Sequence, residues 1–181
     1  MPRYFAEGKY TRMVSTRTTV APDGSARDCV AEHGSGDAYL DAYTCGIIMK
    51  RARFQPAKWL DGTPVYGVLH IPVVWATMTF DPMEDAEEIS QPDMELFVDR
   101  LPKGARKRVT IDFMFAADET GRILSCSQSL PLSKHEKTFP ELVALGCNEL
   151  TRQWVAIPPK DPSGKPVRSV QNASVAFTVK R

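Results

Sequence analysis

Four cysteines are the residues of this chain whose type and spacing could do chemistry most directly. Cys29 and Cys45 lie toward the N-terminal end, and Cys126 and Cys147 follow about a hundred residues later. No two of them have the C-x-x-C spacing that is typical of zinc sites and dithiol redox sites. Four cysteines allow three disulfide connectivities, and buried free thiols are the alternative to a bridge. The cysteines therefore indicate structural cross-linking before any reaction chemistry.

The other residues offer no pattern for catalysis. His33, His70 and His135 are not spaced as metal ligands, and the sequence has no H-E-x-x-H, no G-x-S-x-G and no phosphate-binding glycine loop. We therefore expect a protein that is not an enzyme, with no catalytic, cofactor-binding or metal-binding residue. The net charge of +1 gives no general attraction to nucleic acid or to a membrane surface.

The cysteines belong to a repeat of fixed spacing. Residues 45–75 recur as residues 147–177 with no gap, so that Pro56 matches Pro158 when each is counted from its cysteine. The first cysteine of each pair also lies five residues after a turn glycine. Such a repeat is best explained by one structural unit used twice. Duplication favours pairing within each copy, and each bridge would stabilise its unit by roughly 3 kcal/mol. The predicted disulfides are Cys29–Cys45 and Cys126–Cys147.

Both copies predict the same order of elements. The expected elements of the first copy are strands at 11–20, 25–32 and 64–75 and a helix over about 38–53. Those of the second copy are strands at 109–115, 123–130 and 167–179 and a helix over about 138–154. A hairpin followed by a crossover helix places the third strand antiparallel beside the first, with the helix on one face. We therefore predict an α+β fold of two tandem β-β-α-β modules, each a three-stranded antiparallel-type sheet covered by one helix.

Charge and composition separate the two modules. Residues 78–104 hold eight acidic residues against two basic ones, which predicts a solvated acidic linker. The longest uncharged run, residues 64–80, contains proline and glycine and is predicted to be a strand with its flanks, not a membrane helix. The predicted segments are a tail at 1–10, module 1 at 11–77, the acidic linker at 78–104 and module 2 at 105–181.

The better-kept copy carries several short motifs at fixed places. Arg51-Ala52-Arg53-Phe54 is followed by Pro56-Ala57, Asp61-Gly62 and Pro64-Val65, and the closing strand ends in an aromatic residue. This pattern resembles the C-terminal domain of TonB-type energy transducers. The resemblance covers nearly all of residues 11–77 and, more loosely, residues 105–181, where the arginine-rich core of the motif is replaced.

The resemblance implies a module that binds an extended peptide, typically from an outer-membrane receptor, along its last strand. Strand addition of this kind draws affinity from main-chain hydrogen bonds and selectivity from alternate side chains. The predicted edges are residues 66–74 and 168–175. The residues expected to line them are Tyr66, Val68, His70, Val73, Arg168, Val170, Asn172 and Ser174. The alternative is that these edges pair with each other or across a homodimer, which would make the protein a structural or assembly component.

Disulfides and the resemblance together imply a periplasmic protein. Residues 1–12 contain no apolar segment of the kind found in signal peptides. Either the export signal or membrane anchor is not visible in this sequence, or the thiols are cytosolic, and we favour the first interpretation. The expected partner is a protein or an extended peptide, with no cofactor.

Overall fold

The computed structural model describes residues 11–76, 91–105, 108–129 and 139–180. Within these residues the chain is an α+β protein with two helices and a mixed set of strands. The strands are β1 Thr11–Val20, β2 Ala26–His33, β3 Ala57–Lys58, β4 Pro64–Ala76, β5 Met94–Val98, β6 Arg108–Ala117, β7 Ile123–Gln128 and β8 Ser169–Val179. The helices are α1 Ala38–Arg51 and α2 Pro140–Gln153. The predicted tail and the predicted linker as far as residue 90 lie outside the described residues.

The chain divides into two compact units whose bounds differ from the predicted modules. Of the described residues, unit 1 contains those up to Pro56 and those from Val68 to Gln91. Unit 2 contains Ala57–Gly67 and the described residues from Pro92 onward. The second half of the predicted linker therefore belongs to unit 2, where it supplies β5.

Unit 1 has the strand order β2-β1-β4, with α1 packed against the hairpin. Asp37 is the N-cap residue of α1. Its carboxylate accepts the backbone N–H of Tyr39 at 2.9 Å and so satisfies a donor that the first turn leaves unpaired. Buried side chains recur at helical spacing on the inner face of α1, at Leu40, Thr44 and Ile48. A hydrogen bond joins β4 to this face of α1: Nε1 of Trp75 donates to Oγ1 of Thr44 at 2.9 Å.

Unit 2 has the strand order β4-β8-β6-β7, and β5 also pairs with β8. β6 is antiparallel to β8 over its full length, from the pair Arg108–Thr178 to the pair Ala117–Ser169. Alternate residues of β6 point into the core, and Phe113 is completely buried there. α2 covers this face with Leu142, Gly146 and Leu150. The helix begins at Pro140, because proline is well suited to the first helical position.

The two hairpin turns have matching geometry, as the duplication predicts. Gly24 and Gly121 both have a positive φ, 82° and 86°. In unit 1, Phe54 donates its backbone N–H to the carbonyl of Gly24 at 3.2 Å, and in unit 2 Ala156 donates to Gly121 at 3.1 Å. A side chain on either glycine would run into the carbonyl of its partner residue. Each of these positions therefore requires glycine for two reasons: the positive φ, and the lack of space for a side chain.

The predicted three-stranded antiparallel sheets are not what the structure contains. The short β3 pairs with the start of β4, and β5 pairs with β8 in parallel, which makes the sheet mixed. β8 therefore has a neighbour on each side along its second half, and β4 lies beside β1 in unit 1 and beside β8 in unit 2. Neither is the simple edge that a β-β-α-β topology predicts. Within the described residues the strands that pair on one side only include β2 and β7.

Candidate functional site

Both predicted disulfides are confirmed. Cys29 on β2 is bonded to Cys45 on α1 with a Cα–Cα distance of 5.5 Å, and Cys126 on β7 is bonded to Cys147 on α2 with a Cα–Cα distance of 5.6 Å. The bonds close loops with separations of 16 and 21 residues. Each bridge ties an outer strand to the helix of the same unit. None of the four sulfur atoms is therefore a thiol nucleophile.

The predicted binding residues on β4 have diverse surroundings. Val68 is part of the buried core, so its side chain cannot meet a peptide. Nδ1 of His70 lies 3.3 Å from Oε2 of Glu32, whose other oxygen accepts a 2.6 Å hydrogen bond from Nε of Arg17. Tyr66 and Val73 are half-buried on the same strand. The predicted set on β4 is thus not one continuous exposed row.

Arg168, the first predicted residue of the second set, anchors a turn. Its guanidinium carbon lies 4.8 Å from the ring centroid of Trp59, a cation–π geometry. Nη2 also donates to Oγ1 of Thr63 at 3.2 Å and lies 4.0 Å from a carboxylate oxygen of Asp61. These contacts lie within unit 2 and explain why Ala57–Gly67 belongs to it.

The other three predicted residues of the second set lie on β8 opposite β6. Val170 is in register with Ala116, Asn172 with Met114 and Ser174 with Asp112. Their side chains are half-buried on the face of the sheet away from α2. Of the three, Ser174 lies beside the start of β5 and bonds to Asp93.

β5 is a strand that the sequence did not predict. It runs parallel to β8, with Met94 in register with Val175 and Val98 with Val179. The backbone N–H of Lys180 donates to the carbonyl of Val98 at 3.1 Å and closes the far end of the pairing. The segment had a detectable signal, because three apolar residues alternate with other residues, but its acidic composition favoured a linker. Those three residues, Met94, Leu96 and Val98, pack against the core of unit 2.

Two carboxylates of this segment are held at fixed places on β8. Oδ2 of Asp93 accepts the backbone N–H of Ser174 at 2.7 Å and its hydroxyl at 3.1 Å, and the backbone N–H of Asp93 donates back to Oγ at 3.2 Å. Two residues later, Oε1 of Glu95 accepts the hydroxyl of Thr178 at 2.9 Å and lies 3.9 Å from Nη2 of Arg108. The edge of β8 thus receives an extended segment with one acid at its start and another two residues on.

Four of the described carboxylates whose pKa is lowered lie in turns, and a fifth, Glu149, lies in α2. A hydrogen bond from the side chain of Thr120 is the largest cause that lowers the pKa of Asp118, and Thr63 and Ser163 have the same effect on the pKa of Asp61 and Asp161. These carboxylates are exposed or partly exposed and cap their own turns, without the full burial that tunes a catalytic acid. In the described part of the chain, no three His, Cys, Asp or Glu side chains converge as metal ligands would. Neither described helix is long and apolar enough to cross a membrane.

No protein-family model, curated protein or solved structure matches this chain.

Proposed function

We propose that this protein is a non-enzymatic interaction module that binds an extended peptide by strand addition to β8. The observation that carries the proposal is the parallel pairing of β5 with Val175–Val179. This edge of β8 pairs with the main chain of an extended segment and bonds two acidic side chains at its start, Asp93 and Glu95. A partner peptide would take the place of β5 and make the same kinds of contact. Strand addition needs no special catalytic residue, and its affinity comes from the backbone.

Two further features support a location and a class of partner. The two disulfides fit an oxidising compartment, of which the periplasm is one. The resemblance of residues 11–77 to the TonB C-terminal domain suggests an envelope protein or outer-membrane receptor as the source of the peptide. The partner we propose is therefore an extended segment of an envelope protein, and the protein acts outside the cytoplasm.

A second function is favoured by the outer strands. Among the described strands, β2 and β7 each pair on one side only. Each also exposes an apolar side chain, Val30 on β2 at 41% and Leu124 on β7 at 44%. Unpaired strand edges are templates for association. In this alternative the protein is a structural or assembly component that self-associates through β2 or β7.

Hydrogen exchange of the captured complex separates the two functions. The full chain is used to capture partners from an envelope fraction, and the exchange of backbone amides is compared with that of the free protein. Strand addition at β8 predicts faster exchange at residues 94–98, because the partner displaces β5, whereas residues 174–179 stay protected by the partner strand. Protection confined to β2 or β7, together with concentration-dependent mass in light scattering, would support self-association instead. If residues 94–98 do not exchange faster in any complex recovered, strand addition at β8 is ruled out.

A further inference from the structure

β5 is a segment of this chain in the place where a bound peptide would lie. Ten residues, Gln91–Arg100, read QPDMELFVDR and contain the whole of β5. The pairing partners are far apart in sequence, since Asp93 and Ser174 are separated by 81 residues. Contacts between such distant segments are set by tertiary recognition and not by a local turn. β5 therefore reports which extended sequence the edge of β8 recognises.

The first recognition element is the pair formed by Asp93 and Ser174. Three hydrogen bonds join the two residues, and in two of them the carboxylate is the acceptor. Because the backbone N–H of Ser174 faces β5, it is a donor that the β6 side of the strand does not use. A carboxylate is the strongest acceptor that an extended peptide can bring to it. This position therefore selects an acidic residue directly before the added strand.

The second recognition element lies two residues further on. Glu95 is in register with Ala176, and its carboxylate reaches the hydroxyl of Thr178 and the guanidinium of Arg108. Asp93 stands immediately before β5 and Glu95 lies within it, and the carboxylates of both accept hydrogen bonds from β8. The side chains of Met94, Leu96 and Val98 pack against the core of unit 2. The segment that pairs with this edge of β8 therefore alternates acidic and apolar residues from Asp93 to Leu96.

We propose that β5 is an intramolecular ligand of β8 and that the edge binds in trans an acidic extended peptide of the pattern Asp-apolar-Glu-apolar-any-apolar. This inference rests on the proposed strand addition and names both its ligand chemistry and its regulation. β5 competes with any partner peptide from within the chain, at an effective concentration of about 1 mM for a short connection. A partner binds when its own acidic segment displaces β5.

The test uses the full chain and a labelled peptide of sequence QPDMELFVDR. Met94→Asp combined with Leu96→Asp places charges where β5 meets the core, and so opens the edge. Fluorescence anisotropy should show that the opened chain binds the peptide, and that the wild-type chain binds it at least about 30-fold more weakly because its own β5 occupies the edge. The peptide with Asn and Gln in place of Asp and Glu should bind the opened chain about tenfold more weakly, the effect of losing charge-assisted hydrogen bonds.

Matched variants of the opened chain locate the recognition. Arg108→Gln should reduce the preference for Glu over Gln in the peptide, and Thr110→Ala, an exposed position on the same strand, should leave it unchanged. If the opened chain binds charged and uncharged peptides equally, the acidic pattern is overturned and strand addition itself stands. If a folded opened chain binds neither peptide, both the inference and the proposed function fail.

A second measurement tests the proposal without the opened variant, in case that variant does not fold. The isotope-labelled wild-type chain is titrated with millimolar unlabelled peptide, and the backbone amide signals of residues 94–98 are followed by NMR, because β5 leaves the edge when the peptide takes its place. They should shift in the wild-type chain. They should stay in place when Phe97→Cys and Thr178→Cys, which are register partners, cross-link β5 to β8. Equal shifts in the cross-linked chain would overturn the proposal, because the peptide would then bind elsewhere.

Discussion

Two glycines inside the helices should respond to alanine in opposite directions. Gly46 in α1 is exposed, and a Cβ built there has no atom within 4 Å beyond its own helix. Gly146 in α2 is buried, and a Cβ there would lie 2.9 Å from Cε2 of Phe113 and nearer still to its Cζ. The same substitution therefore adds a methyl group to solvent in one helix and to a filled core in the other.

The magnitudes follow from helix propensity and packing. Alanine is better than glycine inside a helix by about 0.5–1 kcal/mol, so Gly46→Ala should stabilise unit 1 by that amount. Gly146→Ala has the same intrinsic gain, but overpacking a core costs about 1–3 kcal/mol. Phe113 cannot swing away, because it is completely buried between the sheet and α2. Since the intrinsic gain is common to both variants, they should differ by the overpacking cost of about 1–3 kcal/mol, and Gly146→Ala should destabilise unit 2 by up to about 2 kcal/mol net.

Native-state hydrogen exchange is the suitable assay, because it reports the opening free energy of each unit separately. Peptides that cover α1 should exchange more slowly in Gly46→Ala, and peptides that cover α2 should exchange faster in Gly146→Ala. Each variant is the control for the other, since the unsubstituted unit should keep its wild-type exchange. The reasoning is refuted if both substitutions stabilise their units equally, which would mean that Phe113 does not fill the space beside Gly146.

Three further outcomes follow from the same structure. Replacing Cys126 and Cys147 together by serine should lower the free energy of unfolding by about 3 kcal/mol in urea titrations, the loop-closure value for a separation of 21 residues. Gly164→Ala should cost about 1–2 kcal/mol for its positive φ alone, whereas Gly121→Ala should cost more, because its Cβ also meets the carbonyl of the residue it pairs with; equal losses of stability would contradict this. Asp118→Ala should lower the urea midpoint at pH 7, and the difference from the wild-type chain should shrink as the pH falls below about 3.9. The pKa of Asp118 is lowered in the folded chain, so its contribution is present above the unfolded pKa of about 3.9 and is lost as the pH falls through the folded value.

The repeat was the part of the sequence with the most predictive value. It gave the element order of both copies, and the helix predicted over about 38–53 is found at Ala38–Arg51. It also selected one disulfide connectivity out of three, which is confirmed at all four cysteines. Local signals of this kind are reliable because proline, glycine and caps act on the backbone within a few residues. Such signals predict whether a segment forms a helix, a strand or a turn, but they do not predict which other segment packs beside it.

The position of β5 could not be predicted because its neighbour is a tertiary choice. Its apolar residues alternate as in a strand, but nothing within the segment indicates that the strand lies parallel to β8. The acids that suggested a solvated linker are instead satisfied, Asp93 by Ser174 and Glu95 by Thr178. Predicting β8 as an edge followed from counting only three strands in each copy. The sequence thus predicted β8 as an edge and did not place β5 beside it.

At one pair of equivalent core positions, the side-chain volume that is absent from the helix is supplied by the strand. Gly146 in α2 matches Thr44 in α1 when each is counted from its helix cysteine, and Phe113 in β6 matches Thr16 in β1 when each is counted from its turn glycine. In unit 1 the helix supplies a threonine whose hydroxyl accepts the indole N–H of Trp75. In unit 2 the helix supplies no side chain at that point, and the ring of Phe113 fills the space. Close packing makes either member of such a pair costly to change alone. Core residues of the two copies should therefore change in coupled pairs. As a result, the sequence similarity between the copies is lost at core positions and kept at the turns and cysteines.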